Sequence, residues 1–329
     1  MAQFIAQSST NMLRDDLLSF VTDGTVLLAN ATQLLVRQDD GDSIVAVGTF
    51  TYPAGGGLQL PSSGTITEIS VTVAPDTRLF DGTQFNIDID TAEAFFATND
   101  VLGFVAYAMR GVDTVFGSTS GDTLLGFDGD DTINGNPGND LVYGNAGADT
   151  VVGGSGADWV LGGQGSDIVL GGQGDDPFLN GNKGADFLFG NLGSDTIFGG
   201  QDADTIVGDD GNGSGLGGDD LLYGDLGDDV LYGDYFDDTL IGGQGADTFF
   251  FFSDEGVDVI EDFTPGQGDK IGIEVDINGT GVNSFATLLP RIVPDGAGGS
   301  VILLGDNNQV TVEGVAPGVF TASMFEFFV

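Results

Sequence analysis

The feature that most constrains this chain is a nine-residue period running from residue 108 to residue 250. From Gly144 the blocks read GNAGADTVV, GGSGADWVL, GGQGSDIVL and GGQGDDPFL, followed by GNKGADFLF, GNLGSDTIF, GGQDADTIV, GLGGDDLLY, GDLGDDVLY, GDYFDDTLI and GGQGADTFF. Three earlier blocks begin at Gly117, Gly126 and Gly135, and a degenerate one at Ala108 keeps Gly111 and Asp113. The sixth position is aspartate in fourteen blocks: Asp122, Asp131, Asp140, Asp149, Asp158, Asp167, Asp176, Asp186, Asp195, Asp204, Asp220, Asp229, Asp238 and Asp247. The eighth is always apolar: Leu124, Ile133, Val142, Val151, Val160, Val169, Phe178, Leu188, Ile197, Ile206, Leu222, Leu231, Leu240 and Phe249. A unit this short cannot close a core of its own, so it must stack on copies of itself.

The period also assigns conformation. Its first six residues read as a turn, where glycine permits positive φ and close backbone approach. Its last three read as a short strand with the middle side chain facing inward. Two units then make a coil of 18 residues, and stacked coils form two parallel sheets around a thin aliphatic core. At about 4.8 Å per coil, seven coils span roughly 34 Å. Two irregularities should disturb the stack locally: Asn180 reads as one extra residue between Asp176 and Gly181, and 208–214 as a seven-residue unit without a strand. Pro177 removes a strand donor beside the first of these. Asp202 and Phe236 replace the fourth-position glycine.

Composition says what the turns are for. The 329 residues carry 51 acids against 7 lysines and arginines, a net charge of -44. Residues 108–250 hold 26 of these acids, every one an aspartate, with only Arg110 and Lys183 as bases. Solubility would use Asp and Glu interchangeably; exclusive use of the shorter arm points to a fixed distance from the backbone. Turn carbonyls and aspartates stacked in this way make oxygen-only cages, which suit calcium better than magnesium. Bound cations also cancel the repulsion among the carboxylates. Without metal the like charges oppose folding, so the chain is expected to be largely disordered without calcium and folded with it. The sequence has no histidine and no cysteine, which excludes a Ser-His-Asp triad, a cysteine nucleophile, a His/Cys zinc site and disulfides. Its acidity excludes nucleic acid as a partner.

Blocks such as GGSGADWVL and GGQGADTFF resemble the GGxGxDxUx nonapeptide of the RTX (repeats-in-toxin) family, and the resemblance covers 108–250. It implies an all-β fold: a right-handed parallel β-roll that binds one calcium between successive turns on each side. Carried over, the fourteen sixth-position aspartates would be the ligands, helped by main-chain carbonyls of the glycine-rich turns. Six gaps per side give up to about twelve ions.

The roll is expected to lie between two small β-rich domains. In 1–107, GTFTYPAGGG (48–57) and GTITEISVTV (64–73) read as strands, and TAEAFFAT (91–98) as a short helix. In 251–329, Asp258-Val259-Ile260, Asp262-Phe263 and Asp269-Lys270-Ile271 resemble the segment that follows the roll in RTX proteins and would cap it. The terminal Glu326-Phe327-Phe328-Val329 resembles the C-terminal signal of type I secreted members. MAQFIAQSSTNMLRDD lacks a basic start and an apolar core, so it does not read as a Sec signal, and no apolar run is long enough to span a membrane. These readings place the chain outside a Gram-negative cell or on its surface, exported through type I secretion machinery. RTX proteases and lipases need histidine, so no enzyme is expected. What remains is a calcium-folded structural protein of a surface layer, matrix or biofilm fibre, possessing self-association surfaces; the alternative is an adhesin or glycan-binding matrix protein. The ninth positions, Leu125, Tyr143, Val152, Leu161, Leu170, Leu179, Phe189, Phe198, Val207, Tyr223, Tyr232, Ile241 and Phe250, should point outward, as should Trp159 and Phe187 at the seventh.

Overall fold

The computed structural model describes residues 111–329 with side chains, apart from 118, 210–216, 254–255 and 306–307, and describes the strands between residues 3 and 88 by backbone alone. The helix expected over 91–98 lies outside the described residues. Two compact units, Met1–Ala146 and Gly147–Val329, divide the chain.

In the first unit, strands Gly24–Ala29, Gln33–Gln38, Ser43–Thr51, Ser63–Val73 and Thr77–Asp88 pair in succession as an antiparallel meander. The two strands read from GTFTY and GTITEISVTV are adjacent in it. Pairing turns parallel where the repeats begin: Thr114–Phe116 lies beside Thr132–Asn134, and Thr123–Asp128 beside Leu141–Ala146.

The second unit is a parallel β-roll. One sheet runs through Thr150–Ser155, Ile168–Gln173, Phe187–Leu192, Thr205–Asp209, Val230–Tyr232, Thr248–Phe251 and Lys270–Glu274, and finishes with Phe325–Phe328. The other runs through Trp159–Gln164, Phe178–Lys183, Thr196–Gln201, Leu221–Leu226, Thr239–Ile241, Val257–Ile260 and Asn308–Val312. Ser300–Gly305 and Ile292–Pro294 then close this second sheet antiparallel. Val151, Val169, Leu188, Ile206 and Leu231 from one sheet, and Val160, Ile197, Leu222 and Leu240 from the other, are all fully buried. The eighth position therefore builds the core, as its period requires. The terminal residues Glu326 to Phe328 belong to a strand, with Glu326 ion-paired to Lys270.

Three local expectations are corrected. Most strands have six residues, not three, because pairing resumes after the first-position glycine: Gly154 sits beside Gly172 and Ser155 beside Gln173. The turn proper is only positions four to six. Second, the extra residue is Pro177, not Asn180. Phe178 pairs with Trp159 at the seventh position, Leu179 pairs with Val160 and is fully buried, and Asn180 takes the outward ninth place beside Leu161. Proline has no N–H to give the ladder, so the chain expels it into the corner. Phe178 is thus not the core residue of its block, and Leu179 is not outward. Third, the seven extra residues do not form a separate unit. Strand Thr205–Asp209 runs through Gly208, and a Cβ built on Gly208 would lie 2.2 Å from Asp220 Oδ2. Gly208 is therefore the first position of the block whose sixth is Asp220, and the seven extra residues fall between the two.

Candidate metal-binding edges

All fourteen sixth-position aspartates are buried, with 0–4% of their surface exposed. In the second unit they form two rows, one along each edge of the roll. Asp149, Asp167, Asp186, Asp204, Asp229 and Asp247 make one row, in which each main-chain N–H donates to Oδ1 of the next aspartate at 2.7–3.0 Å. Asp158, Asp176, Asp195, Asp220 and Asp238 make the other, at 2.7–2.8 Å. In the first unit Asp122 donates to Asp140 in the same way, and Asp113 donates to Asp131, another of the fourteen. The rows cross both insertions unbroken: the bonded aspartates are 19 apart around Pro177 and 25 apart around 210–216. The carbonyls of most of these aspartates receive the N–H of the next coil's strand, as Asp195 does from Leu221 at 2.9 Å. Oδ1 thus replaces a main-chain acceptor at a corner where strand pairing stops. A glutamate carries one methylene too many for that place, which accounts for aspartate at every sixth position.

The second oxygen is different. Oδ2 of Asp167, Asp176, Asp186, Asp195, Asp204, Asp220, Asp229, Asp238 and Asp247 is buried and meets no hydrogen-bond donor among the described residues. A buried unpaired polar atom is costly, and a row of them needs a common partner. Each points at the first-position glycine of its own block. A Cβ on Gly171 would lie 2.3 Å from Asp176 Oδ2 and 2.8 Å from Gly190 O; on Gly190, 2.3 Å from Asp195 Oδ2 and 2.6 Å from Gly208 O. That glycine is required for room, not for its dihedral angle. The fourth position requires both: Gly165, at φ +130°, would place a Cβ 1.8 Å from the carbonyl oxygen of Gly147 in the preceding coil. Asp202 and Phe236 hold the same left-handed conformation at that position. Carboxylate and carbonyl oxygens therefore face the same small spaces beside the first glycines. No three carboxylates gather at one point among the described residues, and a cation beside these glycines would be held by aspartate carboxylates together with main-chain oxygens.

The electrostatics agree. Burial holds the carboxyl groups far above the ordinary 3.8: Asp176 and Asp204 at about 8, Asp238 at about 9 and Asp220 at about 10. Main-chain N–H donors pull these values down, and neighbouring aspartates push them up again. A hard cation in the row would supply the countercharge that the protein withholds.

Two members of the rows escape the period, Asp258 and Asp269, both buried, and Asp113 of the degenerate first block is buried as well. Asp238 donates to Asp258 Oδ1 at 3.1 Å and Asp247 to Asp269 Oδ1 at 3.2 Å. Their signal was the D-x-apolar triplet in Asp258-Val259-Ile260 and Asp269-Lys270-Ile271, which outlives the glycines of the turn.

A family model described as the RTX calcium-binding nonapeptide repeat (4 copies) matches residues 107–142, 143–176, 180–214, 213–234 and 223–251. Residues 107–251 are an RTX calcium-binding nonapeptide-repeat region. The gap in the match at 177–179 falls at the Pro177 corner. No curated protein matches the chain. Among solved structures it is similar to the extracellular lipase LipA from Serratia marcescens, at 19% identity and a TM-score of 0.32, over 66% of this chain and 38% of that one. The chain thus spans well under half of that lipase's length. RTX membership makes it a secreted β-roll protein of the calcium-binding kind, and its aspartate ladder has the pattern of the RTX calcium-binding turns. Members of this family typically leave the cell by type I secretion. No helix among the described residues is long and apolar enough to cross a membrane.

Proposed function

We propose that the protein is a non-catalytic, self-associating structural component of an extracellular layer or matrix, and that the fourteen ladder aspartates hold the calcium ions, up to about twelve, that keep it folded. The observation that carries the structural reading is the character of the two outer faces. In a chain of net charge -44, no charged residue occupies the seventh or ninth position of any coil between Thr123 and Phe250. Trp159, Ile168 and Phe187 stand 50%, 42% and 52% exposed there. Among the described strands of this stretch the charged residues are Asp128, Lys183, Asp209 and Asp225, all after the first-position glycine, so the stripes formed by the seventh and ninth positions are left free for apolar contact. The absence of histidine and cysteine from the sequence supports the non-catalytic part of the reading.

The aromatic residues favour contact with protein over contact with sugar. Along one face Trp159, Phe178, Phe198 and Tyr223 follow one another with centroids 5.2, 5.3 and 4.7 Å apart. Phe198 and Tyr223 are stacked within 4° of parallel. Phe198 and Tyr223 cover one ring face of each other, whereas a glycan platform needs free ring faces. The adhesin reading is therefore the weaker one. Electron microscopy of the purified chain in millimolar calcium, and again after chelation, tests the proposal. Ordered sheets or fibres that vanish on chelation are expected. Persistent monomers in calcium would refute self-assembly, and glycan-coated surfaces that retain those monomers would establish the adhesin instead.

A further inference from the structure

The two aspartate rows of the second unit end differently. On one edge Asp269 takes the place after Asp247. Its Oδ1 accepts the Asp247 N–H, and its Oδ2 accepts the Thr264 N–H at 2.6 Å. The turn before it is closed by side chains as well. Gly242 and Gly243 donate to Asp262 Oδ1 and Oδ2 at 2.9 and 2.7 Å, and Gly245 donates to Gln267 Oε1 at 3.2 Å. Every carboxylate oxygen that caps this edge already has an N–H donor.

On the other edge Asp258 takes the place after Asp238. Its Oδ1 accepts the Asp238 N–H, but its Oδ2 is buried and meets no donor among the described residues, as is true of Asp238 Oδ2. Asp258 is 1% exposed. The turn that delivers it is built like a repeat turn. Gly256 has φ +159°, and a Cβ there would lie 1.9 Å from the carbonyl oxygen of Phe236, the fourth-position residue of the coil before. Gly256 to Ile260 thus rebuild positions four to eight, although the family match stops at 251. Asp237 flanks the place from the surface, its Oδ1 accepting the Val257 N–H at 2.8 Å.

We propose that Asp238 and Asp258 form a further calcium site in the segment beyond the matched repeats, and that the opposite edge, ending at Asp269, forms none. The assignment rests on the reading of the ladder aspartates as calcium ligands. It makes the terminal segment a metal-bearing coil on one edge and a protein-sealed cap on the other. An unpaired, desolvated carboxylate oxygen calls for a cation; one that already accepts an N–H does not.

Native mass spectrometry of the full chain at saturating calcium, with ions counted on the compact charge states alone, tests it. Asp176→Asn, Asp258→Asn and Asp269→Asn each keep an oxygen to accept the ladder N–H. Asp176→Asn and Asp258→Asn are expected to lower the count by at least one ion, and Asp269→Asn to leave it unchanged. Asp258→Ser, with a hydroxyl acceptor, must repeat the loss. A full count in Asp258→Asn and Asp258→Ser, with an ion missing from Asp176→Asn, overturns the terminal site alone. An ion lost from Asp269→Asn overturns the asymmetry. A full count in Asp176→Asn, or no bound calcium in the unsubstituted chain, refutes the ligand reading and this site with it.

Discussion

Acid should do for the metal-free roll part of what calcium does for the loaded one. Asp220 and Asp238 are held at about 10 and about 9 by burial, with neighbouring aspartates adding to the rise, against an ordinary 3.8. Between pH 5 and pH 8 each is therefore protonated in the metal-free fold and ionised in the unfolded chain. The fold binds one more proton per residue across this whole window, so its stability falls as pH rises, by about 1.4 kcal/mol per pH unit per residue. Over three pH units that is about 4 kcal/mol each and about 8 kcal/mol for the pair, a large part of the 5–15 kcal/mol that holds a typical domain together. The chelated chain, followed by far-ultraviolet circular dichroism from pH 8 to pH 5, should gain β-structure on acidification. Stopping at pH 5 keeps the exposed carboxylates charged and the chain soluble. The loaded chain should show the opposite trend and lose ions as its ligands are protonated. A chelated chain already folded at pH 8 would refute the reasoning, since the ladder would then tolerate its own charge. So would a chelated chain with no gain of structure by pH 5.

Other substitutions separate the roles of individual positions. Gly171→Ala, whose Cβ would lie 2.3 Å from Asp176 Oδ2, should cost about 1–3 kcal/mol of calcium-loaded stability by thermal melting. Gly266→Ala, with nothing within 4 Å, should be silent. Leu179→Ala should cost about 2–5 kcal/mol as a core truncation, while Phe178→Ala, at a partly buried site outside the core, loses mainly ring contacts worth about 0.5–1.5 kcal/mol each; a reversed order would return Phe178 to the core. Trp159→Ser combined with Phe187→Ser should leave calcium-induced folding intact by circular dichroism yet abolish the assemblies seen by electron microscopy.

Much of the fold is legible in the sequence because each coil is made locally and then translated. An apolar residue every ninth place can line only a stacked core, and the eighth positions do so from Val151 to Leu240, with one exception. The exception is Phe178. Counting back from Gly181 puts the extra residue at Asn180; only the pairing of Phe178 with Trp159 shows that the chain spends it at Pro177. The aspartates were equally legible as a set, since no other side chain recurs so strictly. Their division of labour was not, because Oδ1 meets a residue 18 to 25 places away, across an interval that sequence spacing does not measure once the turns vary.

What the sequence determines by itself is therefore the repeating element: strand, corner, buried apolar residue and short acidic arm. These follow from residue type and period alone. The tertiary structure decides which coil lies against which. That choice makes Gly208 the partner of Asp220, twelve places on in the chain, and carries the aspartate rows on to Asp258 and Asp269 beyond the last full repeat. It also leaves one of those two carboxylates open and seals the other with Thr264. The reason is physical: a nonapeptide specifies its own backbone, but the partner of each corner oxygen is supplied by the neighbouring coil, and only the stacked sheets bring the two together.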